Sequence, residues 1–433
     1  MANLSDTEAL MWSVERDPVL RSTFLNVTFL DRGPDVARFR RRMAAAVQRI
    51  PRLRQRIDSP GLGRPAAWVD DPDFDLEYHV RHAALPGAGT DRQLLDDAAL
   101  GYQDAFDPSR PLWQLTIVEG LEGGRAALLA KMHHTITDGV GGVRMSAMFL
   151  DIERDATDEP ALDPGPAAES PSPGVFDTVR RLGGELLNTA RDPLAMAQSL
   201  SRQILVTDQS KSPLWQGKRS MGRRFDTLRV DLPAAKAAAT QLGGTINDLY
   251  VAGVSGGVGA YHRACGVPVD ELRMSMPVST RTDKSAGGNA FAPSRVVVPV
   301  DIEHPVERFN AVQARLNEVK GERALNVAGS LSGLLTSLPS PLLVRLARQQ
   351  VETVDFACSN VRGAPFDLYV AGGLVEANYP MGPTAGTACN VTLLSYRGSM
   401  DIGVNSDTAA VDQPEVLASC IETSLNEVIA AGS

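Results

Sequence analysis

The chain has 433 residues, of which 43% are hydrophobic and 22% charged, and this length and composition predict a globular protein with two domains. The formal net charge is −9 and no long basic run is present, which predicts that nucleic acid is not a partner. The cysteines lie far apart without a CxxC pair, which argues against a zinc site and against a disulfide framework: Cys265, Cys358, Cys389 and Cys420.

The N-terminal segment and the most apolar later stretch bear on where the protein works. Residues 1–20 contain acidic side chains and lack the basic flank and apolar run of a secretory signal. Residues 327–346 are broken by Pro339, Pro341 and Arg345, so they fall short of the roughly 20 uninterrupted apolar residues of a membrane-spanning helix. These features predict a cytoplasmic protein whose contact with a membrane is peripheral.

Alternating and helical patterns of apolar residues predict an α/β unit in the first third of the chain. A glycine-containing turn separates two β-rich segments at 113–118 and 125–132, which is typical of a hairpin, and a helix at 138–150 follows. The other predicted elements are strands at 23–30, 52–57 and 78–80 and helices at 34–49 and 91–104.

A proline-rich segment at 157–174 predicts an exposed linker, and helices at 175–206 are predicted to follow it. We therefore place an N-terminal domain at 1–158, the linker with its connecting helices at 159–216, and a C-terminal domain at 217–433. The C-terminal half repeats the mixture of strands and helices without a visible sequence repeat. Its predicted strands are 224–230, 273–278, 295–300, 369–371, 391–396 and 400–404, and its predicted helices are 233–241, 247–263, 305–320 and 414–430. The whole pattern predicts an α/β sandwich that is duplicated once.

Two adjacent histidines, His133 and His134, stand at the end of a predicted buried strand, just before Asp138 and Gly139. A histidine held at a strand end is suited to act as a general base, because its unperturbed pKa near 6.5 leaves it neutral and still basic at cytoplasmic pH. Asp138 either orients the histidine or pairs with an arginine. The alternative of a metal site is disfavoured, since adjacent strand residues point to opposite faces and no third ligand with suitable spacing follows.

A second motif, Gly253-Val-Ser255-Gly-Gly257, matches the G-x-S-x-G pattern of serine hydrolases. That motif requires a strand immediately before the serine, whereas Thr245 and Asn247 resemble helix caps and the apolar spacing fits a helix. We therefore favour a helix face packed closely against a neighbouring element. The glycines remain unusual for a helix, because each costs it up to about 1 kcal/mol.

The His-His-x-x-x-Asp-Gly string resembles the signature of the CoA-dependent acyltransferase superfamily. Further segments resemble one branch, the bacterial wax ester synthase/acyl-CoA:diacylglycerol acyltransferase family. They span nearly the whole chain in the order of that family: Leu4 to Met11, Pro111-Leu112-Trp113, Thr245 to Asp248, Pro277 to Arg281 with Gly288-Asn289, Ser359 to Gly363, and Asn390 to Gly398. Arg362 departs from the family pattern, which more often has a small residue there.

This resemblance implies two chloramphenicol-acetyltransferase-like α/β (α+β) sandwich domains, with the active site and a substrate tunnel at their interface. It implies an O-acyltransferase that moves a long-chain fatty acyl group from acyl-CoA to diacylglycerol or a long-chain alcohol and so forms triacylglycerol or wax ester. Acyl-CoA would be a co-substrate, and no tightly bound cofactor is expected.

By the same resemblance, the catalytic group consists of His134 as the base, His133 in support and Asp138 in a structural salt bridge, for which we predict Arg281 as the partner. Further residues would shape the site or the tunnel: Gly139, Asn247, Asp248, Pro111, Leu112, Trp113 and Asn390. Helix capping is an equally good interpretation of Asn247 and Asp248, and packing in the core is one for Trp113.

Two other functions stay open at this point. The chain could keep the fold and bind lipid or CoA with little turnover, or it could be a serine hydrolase that uses Ser255. The expected products are nearly insoluble in water, so the predicted location is the cytoplasmic face of the inner membrane or the surface of lipid droplets.

Overall fold

The computed structural model describes residues 2–59, 66–137, 139–156, 211–279, 291–325 and 340–433. The predicted linker and the helices at 175–206 lie outside these ranges. Within them the strands form two six-stranded sheets and one small three-stranded sheet. Helices cover the sheets, and each large sheet carries its own hydrophobic core.

The N-terminal sheet has the strand order β12-β13-β2-β7-β6-β5. Its strands are β2 (Thr23–Leu30), β5 (Val80–Ala84), β6 (Trp113–Glu119), β7 (Ala126–His133), β12 (Tyr369–Val370) and β13 (Gly373–Met381). The small sheet beside it contains β1 (Ala2–Asn3), β3 (Gln55–Asp58) and β4 (Ala67–Asp70). The helices of this half are α1 (Asp6–Val14), α2 (Val36–Arg49), α3 (Leu76–His79), α4 (Asp91–Gln103) and α5 (Gly139–Ser146).

The C-terminal sheet has the strand order β10-β9-β11-β14-β15-β8. Its strands are β8 (Arg223–Asp231), β9 (Glu271–Ser279), β10 (Phe291–Pro299), β11 (Phe356–Arg362), β14 (Cys389–Tyr396) and β15 (Ser399–Asp407). The helices of this half are α6 (Leu232–Gln241), α7 (Ile246–Ala264), α8 (Pro305–Leu325), α9 (Ser340–Val351) and α10 (Pro414–Ala431).

Two strands from the C-terminal half complete the N-terminal sheet. Strand β13 pairs antiparallel with β2, from Met381 opposite Leu25 to Val375 opposite Leu30, and β12 pairs with β13 at the edge. The Asn378 backbone N–H then donates to the Asp401 carboxylate at 2.8 Å. Residues 369–381 therefore join the two sheets, although they lie inside the range 217–433 that we assign to the C-terminal domain.

Two short predicted strands are wrong in part. Residues 52–57 were predicted as a strand, but Pro51–Arg54 forms a 3₁₀ turn before β3 begins, since Pro51 provides the φ angle of a helical start. Residues 78–80 were also predicted as a strand, but α3 continues to His79. The Asp75 carboxylate caps this helix by accepting the Glu77 N–H.

The glycine-rich run lies in α7, where close contacts explain it. A Cβ atom on Gly257 would lie 2.4 Å from the Ile421 Cα atom of α10, and one on Gly259 would lie 1.8 Å from the Val300 carbonyl oxygen. The prediction of a helix face packed closely against a neighbour is therefore confirmed. Among the described helices, none has an apolar stretch of the length needed to cross a bilayer.

Candidate active site

His134 is the first residue after β7, a strand that lies between β2 and β6 in the N-terminal sheet. Its backbone N–H donates to the Ser22 carbonyl oxygen at 3.0 Å. The imidazole packs against the Phe24 ring with 4.8 Å between the ring centroids. The strand end and this aromatic contact therefore position a partly exposed imidazole.

The neighbouring His133 has a different environment. Its side chain is fully buried, and its two ring nitrogens contact the Thr135 hydroxyl at 2.7 Å and a Glu15 carboxylate oxygen at 2.9 Å. The Trp12 indole meets the ring edge-on. The His133 side chain therefore has no exposed surface, and its role in support of His134 stays a prediction.

Asp138 of the predicted catalytic group and its predicted partner Arg281 lie outside the described residues, so their ion pair stays a prediction. Gly139 begins helix α5, which contacts strand β11 of the C-terminal sheet. This contact brings the segment after the histidines against the second half of the molecule.

Asn247 and Asp248 stand at the start of α7. The Asn360 amide on β11 donates to the Asn247 side-chain oxygen at 3.3 Å, so Asn247 contacts the strand that α5 also contacts. The Asp248 carboxylate is buried and accepts from the Thr245 backbone N–H at 2.9 Å, while the Thr245 hydroxyl caps the Asp248 N–H. Asp248 therefore closes a capping box, and Asn247 is the member of the pair that takes part in the amide contact.

The Pro111-Leu112-Trp113 segment, at the start of β6, contacts the histidine motif. The Leu112 carbonyl accepts the His133 N–H at 3.0 Å. The Trp113 indole is fully buried and donates to the Leu53 carbonyl at 2.7 Å, and its ring stacks on His79 with 4.4 Å between the centroids. Trp113 thus occupies the N-terminal core, in agreement with the core-packing interpretation, and the segment reaches the site through the Leu112 backbone.

Buried His79 makes the stability of this region depend on pH. Burial lowers the pKa of the His79 imidazole, whose Nδ1 lies 2.7 Å from the Trp113 carbonyl oxygen. The unfolded chain therefore binds the proton more readily, so the stabilising contribution is complete above about pH 6.5 and is lost as pH falls below that value. We expect the Tm to fall from pH 6.5 to pH 5, and to fall less steeply in His79→Gln. Differential scanning fluorimetry of both proteins across this range measures the two slopes of Tm against pH. Equal slopes would contradict the pH dependence that we attribute to His79.

Asn390 is buried on β14, where its amide donates to the Pro383 carbonyl at 2.7 Å. Its side-chain oxygen accepts from the Thr392 hydroxyl at 2.7 Å. These contacts hold the segment that connects β13 to β14. The role of Asn390 in shaping the site stays a prediction.

Ser255 lies in the middle of α7 and is fully buried. A nucleophile elbow presents its serine on an exposed turn between a strand and a helix, so this environment does not fit a serine hydrolase. We expect Ser255→Ala to keep the wild-type rate of the acyl transfer that the resemblance implies, measured as CoA release from palmitoyl-CoA in the presence of an alcohol. Loss of turnover in a variant with an unchanged Tm would restore the hydrolase interpretation.

Some residues around His134 were not predicted from the sequence. Glu15, Ser22, Phe24 and Thr135 contact one of the two histidines, and the first three belong to no motif with a recognisable spacing. Only Thr135 lies inside the histidine motif itself. Within the described ranges, no cluster of three or more His, Cys, Asp or Glu side chains is arranged to hold a metal ion.

The chain matches the models of one protein family and resembles curated relatives over most of its length. Residues 4–250 match the wax ester synthase/diacylglycerol acyltransferase catalytic domain, and residues 287–428 match the WS/DGAT C-terminal domain. Two Mycobacterium tuberculosis H37Rv proteins named as diacylglycerol O-acyltransferases are similar to the chain. One is 36% identical over 99% of this chain and 91% of its own length, and the other is 28% identical over 92% and 91%.

Solved structures show the fold. The wax ester synthase/diacylglycerol acyltransferase from Marinobacter aquaeolei VT8 superposes with a TM-score of 0.68 at 22% identity and full coverage of both chains. The first condensation domain of the calcium-dependent antibiotic synthetase gives 0.65 at 16% identity, covering 100% of this chain and 96% of that one. The predicted fold of α/β sandwich domains is therefore confirmed.

Proposed function

The chain belongs to the wax ester synthase/diacylglycerol acyltransferase family and is an acyltransferase, and on this premise we propose a specific reaction for it. The enzyme transfers a long-chain fatty acyl group from acyl-CoA to the hydroxyl group of diacylglycerol or a long-chain alcohol, with His134 as the general base. The observation that carries this proposal is the partly exposed imidazole of His134, held at the end of β7 by Ser22 and Phe24.

The chemistry needs one proton carrier. His134 takes the proton of the acceptor hydroxyl as its oxygen attacks the thioester carbonyl carbon. The carbon–sulfur bond then breaks, and the imidazolium returns the proton to the departing sulfur. Because thiols titrate near 8.5, far below alcohols, the sulfur leaves readily and no covalent enzyme intermediate is required. Ser255 therefore has no part in the reaction.

The substrates determine where the enzyme works. Its partners are acyl-CoA and the lipid acceptor, and the insoluble product places the enzyme peripherally on the inner membrane or on lipid droplets. The net charge of −9 gives no attraction to anionic lipids, so exposed apolar side chains such as Ile152 and Phe366 provide the contact. Release of the membrane-associated enzyme by a high-salt wash would contradict apolar attachment.

An acceptor panel tests the proposed reaction. Purified enzyme is incubated with palmitoyl-CoA and hexadecanol, a diacylglycerol, a short alcohol or no acceptor, and both CoA release and ester formation are measured. We expect one ester per CoA released with at least one long-chain acceptor, and little CoA release without an acceptor. Free palmitate as the product in every arm, or binding of palmitoyl-CoA without turnover, would contradict it.

A further inference from the structure

Glu15, outside every recognised motif, contacts the first motif histidine. It follows helix α1, and its Oε2 atom lies 2.9 Å from Nε2 of His133. The same oxygen accepts the backbone N–H of Ser22 at 3.2 Å. Only 15% of the Glu15 side chain is exposed, so its carboxylate faces these partners rather than solvent.

The hydrogen in the contact between Glu15 and His133 belongs to the histidine. The Thr135 backbone N–H donates to Nδ1 of His133 at 3.2 Å, so Nδ1 is the acceptor of the neutral ring and Nε2 carries the hydrogen. An imidazolium carries a hydrogen at Nε2 as well. In both protonation states the His133 ring therefore donates to Glu15, which fixes the orientation of the ring.

Glu15 also reaches His134 through the main chain. Ser22 donates its N–H to Glu15, and its carbonyl oxygen accepts the N–H of His134 at 3.0 Å. One carboxylate thus holds both the residue before His134 and the residue that binds the His134 backbone. A displacement of Glu15 is transmitted to the imidazole by two routes.

Arg21 gives the partly buried carboxylate a counter-charge. Its Nε atom lies 3.9 Å from the second carboxylate oxygen of Glu15, and its Nη1 donates to the Gln103 carbonyl at 3.2 Å. The guanidinium is itself held by α4, so it limits the freedom of the glutamate. The carboxylate is therefore restrained on both of its oxygens.

We infer that Glu15 is a positioning residue for acyl transfer, which acts through His133 and Ser22 to hold His134 in the orientation needed for proton removal. The inference rests on the proposed role of His134 as the base. It explains why the motif contains two histidines, since the buried one links the base to a carboxylate on another element. The length of the Glu15 side chain matters more than its charge in this arrangement.

Three substitutions separate length from charge. We expect Glu15→Ala to lower kcat by about 100-fold, the order of loss for a displacement near 1 Å at the reacting group, with little change in KM for palmitoyl-CoA. Glu15→Gln keeps the length and an acceptor oxygen, so we expect it to restore kcat to within about tenfold of the wild-type value. Glu15→Asp keeps the charge but is one methylene shorter, so its kcat should stay close to that of Glu15→Ala. Each kcat and KM is measured by thiol release with hexadecanol as the acceptor.

Matched measurements exclude a general loss of folding. Glu122→Ala removes an exposed glutamate in the β6–β7 turn and should keep the wild-type kcat, and the Tm of every variant is recorded. Wild-type kcat in Glu15→Asp, or losses in all three variants that follow their Tm, would overturn the inference. His134→Ala is assayed alongside. A wild-type kcat in His134→Ala would overturn both the role of His134 as the base and its positioning by Glu15. A strongly reduced kcat in His134→Ala together with a wild-type kcat in Glu15→Ala would overturn only the role of Glu15.

Discussion

Replacing His134 with alanine should lower kcat for acyl transfer by about 1,000-fold, within the range that general acid–base catalysis contributes. Without the imidazole, the acceptor alcohol must attack while it still carries its proton, and the departing sulfur has no proton donor. The Tm should stay close to that of the wild-type protein, because the side chain is only partly buried at a strand end. Thiol release from palmitoyl-CoA with hexadecanol measures the rate.

His82 provides the matched control for this substitution. Its imidazole is 38% exposed on β5 and pairs with Glu119, so His82→Ala removes a histidine without touching the candidate site. We expect this variant to turn over at the wild-type rate. A His134→Ala enzyme that is as fast as the wild type would remove the proposed base, whatever its effect on binding.

Much of the fold could be predicted because its signals are local. The strand at 23–30 and the hairpin of β6 and β7 have short apolar runs bounded by turn residues, and the structure contains them within one or two residues of the predicted bounds. Strand β13 has no such signal, since Gly373 begins it and Pro380 lies inside it. Its partner β2 lies in the first tenth of the chain, so only the tertiary structure reveals that it completes the N-terminal sheet.

The candidate site likewise contains residues that a local sequence pattern predicts and residues that no pattern predicts. His134 could be predicted because its motif is continuous in sequence and ends a predicted strand. Glu15 could not, because a single glutamate carries no pattern and 118 positions separate it from His133. The position of Trp113 also could not be predicted from the sequence, since an aromatic residue at a strand start suits either a tunnel wall or a core. Its contacts with Leu53 and His79 place it in the core.

Asp151→Ala should cause the largest loss of stability among the substitutions considered. The buried Asp151 carboxylate contacts two guanidinium groups of α2, with 2.9 Å to Arg38 Nη2 and 2.5 Å to Arg42 Nη1. The Asp151 backbone also exchanges two hydrogen bonds with Tyr369 at the edge of the N-terminal sheet. Removing the carboxylate breaks the ion pair of the buried Arg42 cation with Asp151, and breaking a buried pair typically costs about 3–5 kcal/mol.

For a domain of this size, that loss corresponds to a fall in Tm of about 10 °C, which differential scanning calorimetry would detect. Asp96→Ala is the matched control, because its partner Arg92 lies on the same helix and the carboxylate is 61% exposed. An exposed pair of this kind contributes at most about 1 kcal/mol, since solvent screens both charges. Equal Tm values for the two variants would show that burial does not strengthen the Asp151 contacts. A much lower Tm for Asp151→Ala alone would instead establish that this carboxylate fastens α2 to the edge of the sheet that carries His134.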